Sequence, residues 1–239
     1  MRRALLVSAT TVALVAVGGA VNACGPSRAP TATLSADETV ASSGFAAVTV
    51  RRTGTLDDGT NWTVMLPQVR GGDTGVRAEF NGRLDAVLTD LTGQPSGNGL
   101  TIGDGSLGTA ERSRTVVGER TLAGVVIVLS GAKGAAHPGV DVKTVVMDNR
   151  TGQVIDEPFE DHGQAQRVIA DLAAANDPTS RLRSGGASYS SFTAWLPLPE
   201  GLHVYVEVPH VLGDYIPVTI PWAKVSGLLK PDVREVLVG

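Results

Sequence analysis

Apolar residues fall into two rhythms along this chain. Between Asp73 and Leu91, Val76, Phe80, Leu84, Val87, Leu88 and Leu91 recur at intervals of three and four, the spacing of one helix face. Asp73 is placed to cap that helix and Gly93 to stop it. Gln164 to Ala174 has the same rhythm, with Ala165, Val168, Ile169, Leu172 and Ala173 on one face and Asp177-Pro178 as its end.

Elsewhere the pattern is short and extended. Phe45–Arg52 and Asn61–Val69, the second ended by Pro67, predict a hairpin around Asp57-Asp58-Gly59. Ser113–Val117 and Leu122–Ser130 flank the turn Gly118-Glu119-Arg120, and the almost continuous apolar run Val125–Ser130 predicts a central strand. Val140–Met147 predicts a strand, followed by a turn at Asn149–Gly152 and extended chain at Gln153–Ile155. Phe192–Leu196 and Leu202–Val208 predict a hairpin around Pro199-Glu200-Gly201. His210–Tyr215 reads as a loop, Val218–Ile220 as a short strand and Trp222–Leu229 as a last short helix. Gly93–Gly108 reads as a polar connection, and the chain from Pro178 to Ser190 as a mobile stretch. Strands joined mainly by hairpins, interrupted by helices, give an α+β fold: antiparallel sheets with two main helices and a short C-terminal helix packed on them.

The first 44 residues do not belong to that pattern. Arg2 and Arg3 precede an uncharged apolar segment from Ala4 to Val21, and Val21-Asn22-Ala23-Cys24-Gly25 then follows the lipobox pattern. Residues 1–23 are therefore read as a signal peptide, Cys24 as the lipidated residue and 24–44 as a flexible Ser/Thr/Ala/Pro-rich linker. Plain secretion and an uncleaved membrane anchor are the other readings of the same apolar segment.

Cys24 is the only cysteine, so no disulfide is expected and the fold rests on its apolar core. Roughly 195 residues from Phe45 onward are enough to bury one. Cleavage before Cys24 removes two arginines and leaves 18 basic against 24 acidic residues, which excludes nucleic acid as the natural partner and suits a cationic one.

Candidate chemistry is sparse. The serines nearest to a hydrolase elbow, Ser106 and Ser188, lie in glycine-rich stretches that lack the G-x-S-x-G spacing. His137, His162, His203 and His210 show no short metal-ligand spacing, and neither a phosphate loop nor a dinucleotide fingerprint is present, so neither metal nor cofactor is expected. Asp57-Asp58 and Glu160-Asp161 read as turn and cap residues. His137, in the glycine-rich loop before Pro138, has two readings: a loop residue bonded to a nearby backbone carbonyl, or a ligand contact.

The order of several motifs resembles the RsiV-type extracytoplasmic domains. Gly134-Ala135-Ala136-His137-Pro138, the run Met147-Asp148-Asn149-Arg150-Thr151-Gly152-Gln153, and the closing Gly201–Val206, Gly213-Asp214-Tyr215 and Ile220-Pro221-Trp222 carry the likeness. Leu66-Pro67-Gln68-Val69, Gly72-Asp73 and Phe80-Asn81 resemble the small domain that precedes it, which also occurs beside peptidoglycan deacetylases. The resemblance spans nearly all of Phe45–Leu229 and divides the chain at 45–110 and 111–239. It includes the lysozyme-sensing anti-sigma factor and secreted mycobacterial antigens. Here a lipobox stands in place of the transmembrane helix and no sigma-binding segment is seen, while His210 and Trp222 stand where the family carries tyrosine.

The resemblance implies an actinobacterial-style surface lipoprotein on the outer face of the cytoplasmic membrane. It would bind an envelope component or a cationic secreted protein such as lysozyme, without catalysis. His137, His210, Asp214 and Tyr215 are the candidate ligand contacts. A cell-wall-associated hydrolase or esterase, and a structural or antigenic envelope protein, are the alternatives.

Overall fold

The structure is a computed structural model that describes residues 43–93, 100–108, 111–132, 137–184 and 191–238. The segment read as a signal peptide, Cys24, most of the stretch read as a linker, Ser188 and residues 134–136 of the histidine loop lie outside the described residues.

Antiparallel sheets with helices on them make this an α+β fold, as expected. β1 (Phe45–Thr55) and β2 (Asn61–Gly71) form the first hairpin. β2 does not end at Pro67, which sits opposite Thr49 in the ladder. Gly72 N donates to Gly44 O at 2.9 Å, and alternation from that bond makes Thr49–Pro67 a non-hydrogen-bonded pair. The missing proline N–H therefore costs the hairpin no bond.

α1 (Thr74–Thr92) starts at Asp73, whose carboxylate accepts from Gly75 N and Val76 N, and buries Val76, Phe80, Leu84 and Leu88. The stretch read as a polar connection contains a strand, β3 (Leu100–Asp104), anchored by buried Ile102. β4 (Arg114–Val117), β5 (Thr121–Ala132) and β6 (Gly139–Asp148) complete a six-stranded sheet. β5 pairs with β3 and β4 along one edge and with β6 along the other. Among the described residues β2 and β3 make a parallel contact, at Thr63 and Gly103, in this otherwise antiparallel sheet.

β5 carries no polar side chain from Leu122 to Leu129 because both its faces are covered there. Leu122, Val126 and Val128 join the cluster under α1, while Ala123, Val125 and Ile127 join the second cluster. That second cluster is closed by α2 (His162–Asn176) and a three-stranded sheet of β7 (Phe192–Leu198), β8 (Gly201–Glu207) and β9 (Tyr215–Pro221). Asp161 caps α2 by accepting from Gln164 N.

Two C-terminal expectations need correction. The stretch read as mobile holds a short helix, α3 (Arg181–Ser184), beside buried Asp177, whose carboxylate accepts from Leu182 N. The last helix breaks early: α4 (Trp222–Val225) tightens into a 3-10 turn at Ser226–Leu228, where Ser226 and Gly227 are poor helix formers. A further helix, α5 (Pro231–Leu237), follows, with Pro231 and Asp232 in its first turn, the residues a helix start favours.

Candidate functional site

Two connections meet at one end of the molecule. One is the end of the β5–β6 hairpin, where Ser130 pairs with Gly139 just beyond His137. The other joins β8 to β9 and contains a 3-10 turn at His210–Leu212. All four candidate contact residues, His137, His210, Asp214 and Tyr215, lie at this junction.

Asp214 organises it. Its backbone has a positive φ of 67°, directly after Gly213 at 102°, a conformation aspartate tolerates better than most residues. That turn aims the carboxylate inward. Oδ1 lies 2.8 Å from His210 Nδ1, Oδ2 accepts Val140 N at 2.9 Å, and the Asp214 carbonyl accepts Val208 N at 2.8 Å. An ionised carboxylate only accepts, so His210 donates from Nδ1. The His137 ring meets the His210 ring edge-on at a centroid distance of 6.3 Å. His137 is exposed, and among the described residues its ring contact is with His210.

Beside this pair is an open notch of about 260 Å³ lined by Ser130, Asp141, Glu207, Asp214 and Tyr215, among others. Ser130 Oγ donates to Asp141 Oδ2 at 2.5 Å. Burial, and then the negative charges of Glu207, Asp141 and Asp214, hold the Tyr215 hydroxyl above its ordinary pKa against a hydrogen bond from Thr193. Three carboxylates thus share one small concavity. Arg181 of α3 donates from Nη1 to Leu212 O on the β8–β9 connection at 2.9 Å. Val211, at the tip of the turn, is 89% exposed.

Asp141, Glu207 and Ser130 escaped sequence reading because each is an ordinary strand residue. The register was the available signal: Glu207 lies opposite Tyr215, and Ser130 opposite Gly139.

Other singled-out residues serve the fold. Asn81 offers both halves of its amide to Val69, accepting its N–H and donating to its carbonyl, each at 2.9 Å. Asp148 takes Arg120 at 3.1 Å and Arg150 N at 2.8 Å, and Asn149 donates to Gly118 O and Glu119 O. Trp222 Nε1 donates to Leu198 O. His162 opens α2 against Glu157 Oε2 at 2.6 Å, and His203 is buried in β8. Ser106 is half-buried on the connection after β3. Among the described residues no group of three or more His, Cys, Asp or Glu side chains could hold a metal ion, and no helix is long and apolar enough to cross a membrane. A larger surface cavity of about 590 Å³ lies at the end of α1, lined by Val87, Thr89, Asp90, Leu91, Gly93 and Lys143.

No protein-family model matches the sequence, and no curated protein matches it. A crystal structure of a DUF3298 family protein from Pseudomonas aeruginosa PAO1 is similar in fold, with a TM-score of 0.51 at 9% identity, over 78% of this chain and 95% of that one. DUF3298 proteins are related to the RsiV-type domains, and at this identity the likeness is one of fold.

Proposed function

We propose that this chain is a lipid-anchored protein of the outer face of the cytoplasmic membrane that binds a cationic secreted protein, lysozyme being the first to try, through the junction around Asp214. One observation supports this reading above the others. Asp141 of β6, Glu207 of β8 and Asp214 of the β8–β9 connection gather in a notch beside two exposed histidines. A lysine or arginine of a partner is the complement of such a notch, and its attraction weakens with salt. The carboxylates and histidines there need no catalytic role to explain them. Non-enzymatic binding is also what the RsiV-type resemblance implies.

Two experiments test the reading separately. Pull-down of lysozyme by the chain is expected at low salt and to weaken at physiological salt; no capture at either removes lysozyme as partner. Cys24→Ala is expected to move the protein from the membrane fraction to the medium; retention in the membrane fraction means an uncleaved anchor instead.

A further inference from the structure

A second polar cluster lies away from that junction, inside the molecule. Glu111, on the connection between β3 and β4, serves several groups at once. Its Oε1 accepts the Tyr205 hydroxyl at 2.7 Å and Arg114 Nε at 3.3 Å. His203 Nε2 stands 3.8 Å from the same oxygen, too far for a hydrogen bond.

His203 is 7% exposed. Its Nδ1 lies 2.8 Å from Thr219 Oγ1 on β9, and its ring meets Tyr205 edge-on at 5.0 Å. Nε2 is buried with no hydrogen-bond partner. Buried polar atoms without partners are rare, so an orphaned ring nitrogen aimed at a carboxylate calls for an explanation.

Glu111 also closes its own connection. It exchanges backbone bonds with Leu107, N to O at 3.0 and 3.2 Å, and Leu107 is buried in the cluster shared with β7–β9. Two residues on, Ser113 is fastened to Ile127 of β5. Glu111 is thus the point at which this connection of the six-stranded sheet is tied to the three-stranded sheet.

We propose that His203 and Glu111 form an acid-released latch between the β3–β4 connection and β8. At neutral pH the ring is uncharged and the Tyr205–Glu111–Arg114 arrangement is closed. Protonation puts a cation on Nε2, whose nearest acceptor is already engaged. Either Glu111 leaves Tyr205 for His203, or water enters; both loosen the tie at Leu107 and Glu111.

The groups facing the ring set the direction. Burial pushes the His203 pKa below its ordinary 6.5; Glu111 opposes this, Arg114 adds to it and Glu200, from the β7–β8 turn, opposes it. The opened form therefore binds the proton more tightly than the closed one. The closed form keeps its full advantage above about 6.5 and loses it as pH falls from there through the lower folded value, by up to about tenfold per pH unit.

The test is amide hydrogen exchange on the whole secreted chain between pH 7.5 and 5, corrected for intrinsic rates, with the β5–β6 ladder as internal reference. Leu107 and Glu111 amides are expected to lose protection relative to that ladder as pH falls below about 6.5, and His203→Asn, which keeps a partner for Thr219 without titrating, is expected to remove the loss. Unchanged protection in the wild type, or an equal loss in His203→Asn, overturns the latch. Should His203→Asn fail to fold, the wild type decides by NMR. The His203 ring and the Glu111 amide are expected to titrate with one midpoint below 6.5, and different midpoints overturn it.

Discussion

Asp214 reaches across 74 residues of sequence to accept the backbone N–H of Val140 at 2.9 Å. The same carboxylate holds His210, so one side chain ties the end of the β5–β6 hairpin to the β8–β9 connection. Its positive φ separates backbone from side-chain effects. Asp214→Gly removes the carboxylate but suits the backbone, whereas Asp214→Ala removes it and adds a strain of about 1 kcal/mol. The glycine variant is expected to be the more stable of the two in urea unfolding, while both lose partner binding. An alanine variant as stable as the glycine variant would show that the turn does not depend on this conformation.

Asn81 holds α1 to β2 by imitating a strand. Replacing it with leucine leaves the Val69 N–H and carbonyl without their partner. The expected cost is about 1–3 kcal/mol for each group left dry, less where water enters. Gln166 makes the same double contact with Phe192 at β7, donating to its carbonyl and accepting its N–H, each at 3.1 Å. Gln166→Leu should therefore destabilise in the same direction. Denaturant midpoints of both variants check this, and wild-type midpoints would show that the amides only decorate the strands.

Two glycines should respond in opposite directions. A Cβ at Gly201 would run into the Ile220 carbonyl on β9, so Gly201→Ala must push strands apart and is expected to cost about 3 kcal/mol or more. Gly82 lies inside α1 with open space around it, and Gly82→Ala should stabilise by about 0.5–1 kcal/mol. Melting temperatures of the pair are the measurement.

Asp177 gives the acid limb of stability a local cause. Burial pushes its pKa up, but hydrogen bonds from Leu182 N, the Thr179 hydroxyl and N–H, and the Arg181 backbone outweigh that and hold it below the ordinary 3.8. A folded value below the unfolded one means stability that is present above 3.8 and lost as pH falls through the folded value. Asp177→Asn should thus be less stable at pH 7 and show a flatter decline below pH 3.8. An unchanged acid limb in urea unfolding at pH 7 and pH 3 would point to other carboxylates.

Sequence rhythm revealed the elements whose packing is one-sided or complete. α1 was legible because Val76, Phe80, Leu84 and Leu88 recur at every fourth position within a nineteen-residue helix, and β5 because both its faces are buried. β3 was not, since five residues containing Gly103 carry too little pattern, and α5 was hidden behind the Ser226-Gly227 break and Pro231. The four candidate contacts could be named, but their meeting could not. It depends on the hairpin register and on the Asp214–Val140 bond, neither of which leaves a local trace. Asp141 and Glu207 were invisible for the same reason: a carboxylate on a strand reads as solvent-facing until a neighbouring connection folds over it.

The central claim is that this acidic junction binds a cationic protein. The most direct measurement is a calorimetric titration of residues 24–239 with lysozyme at low and physiological salt, for the wild type and for the Asp141→Asn, Glu207→Gln double variant. The account predicts saturable binding that weakens with salt and falls at least tenfold, about 1.4 kcal/mol, in the double variant. Absence of binding at both salts, or binding that the double variant leaves intact, would contradict it.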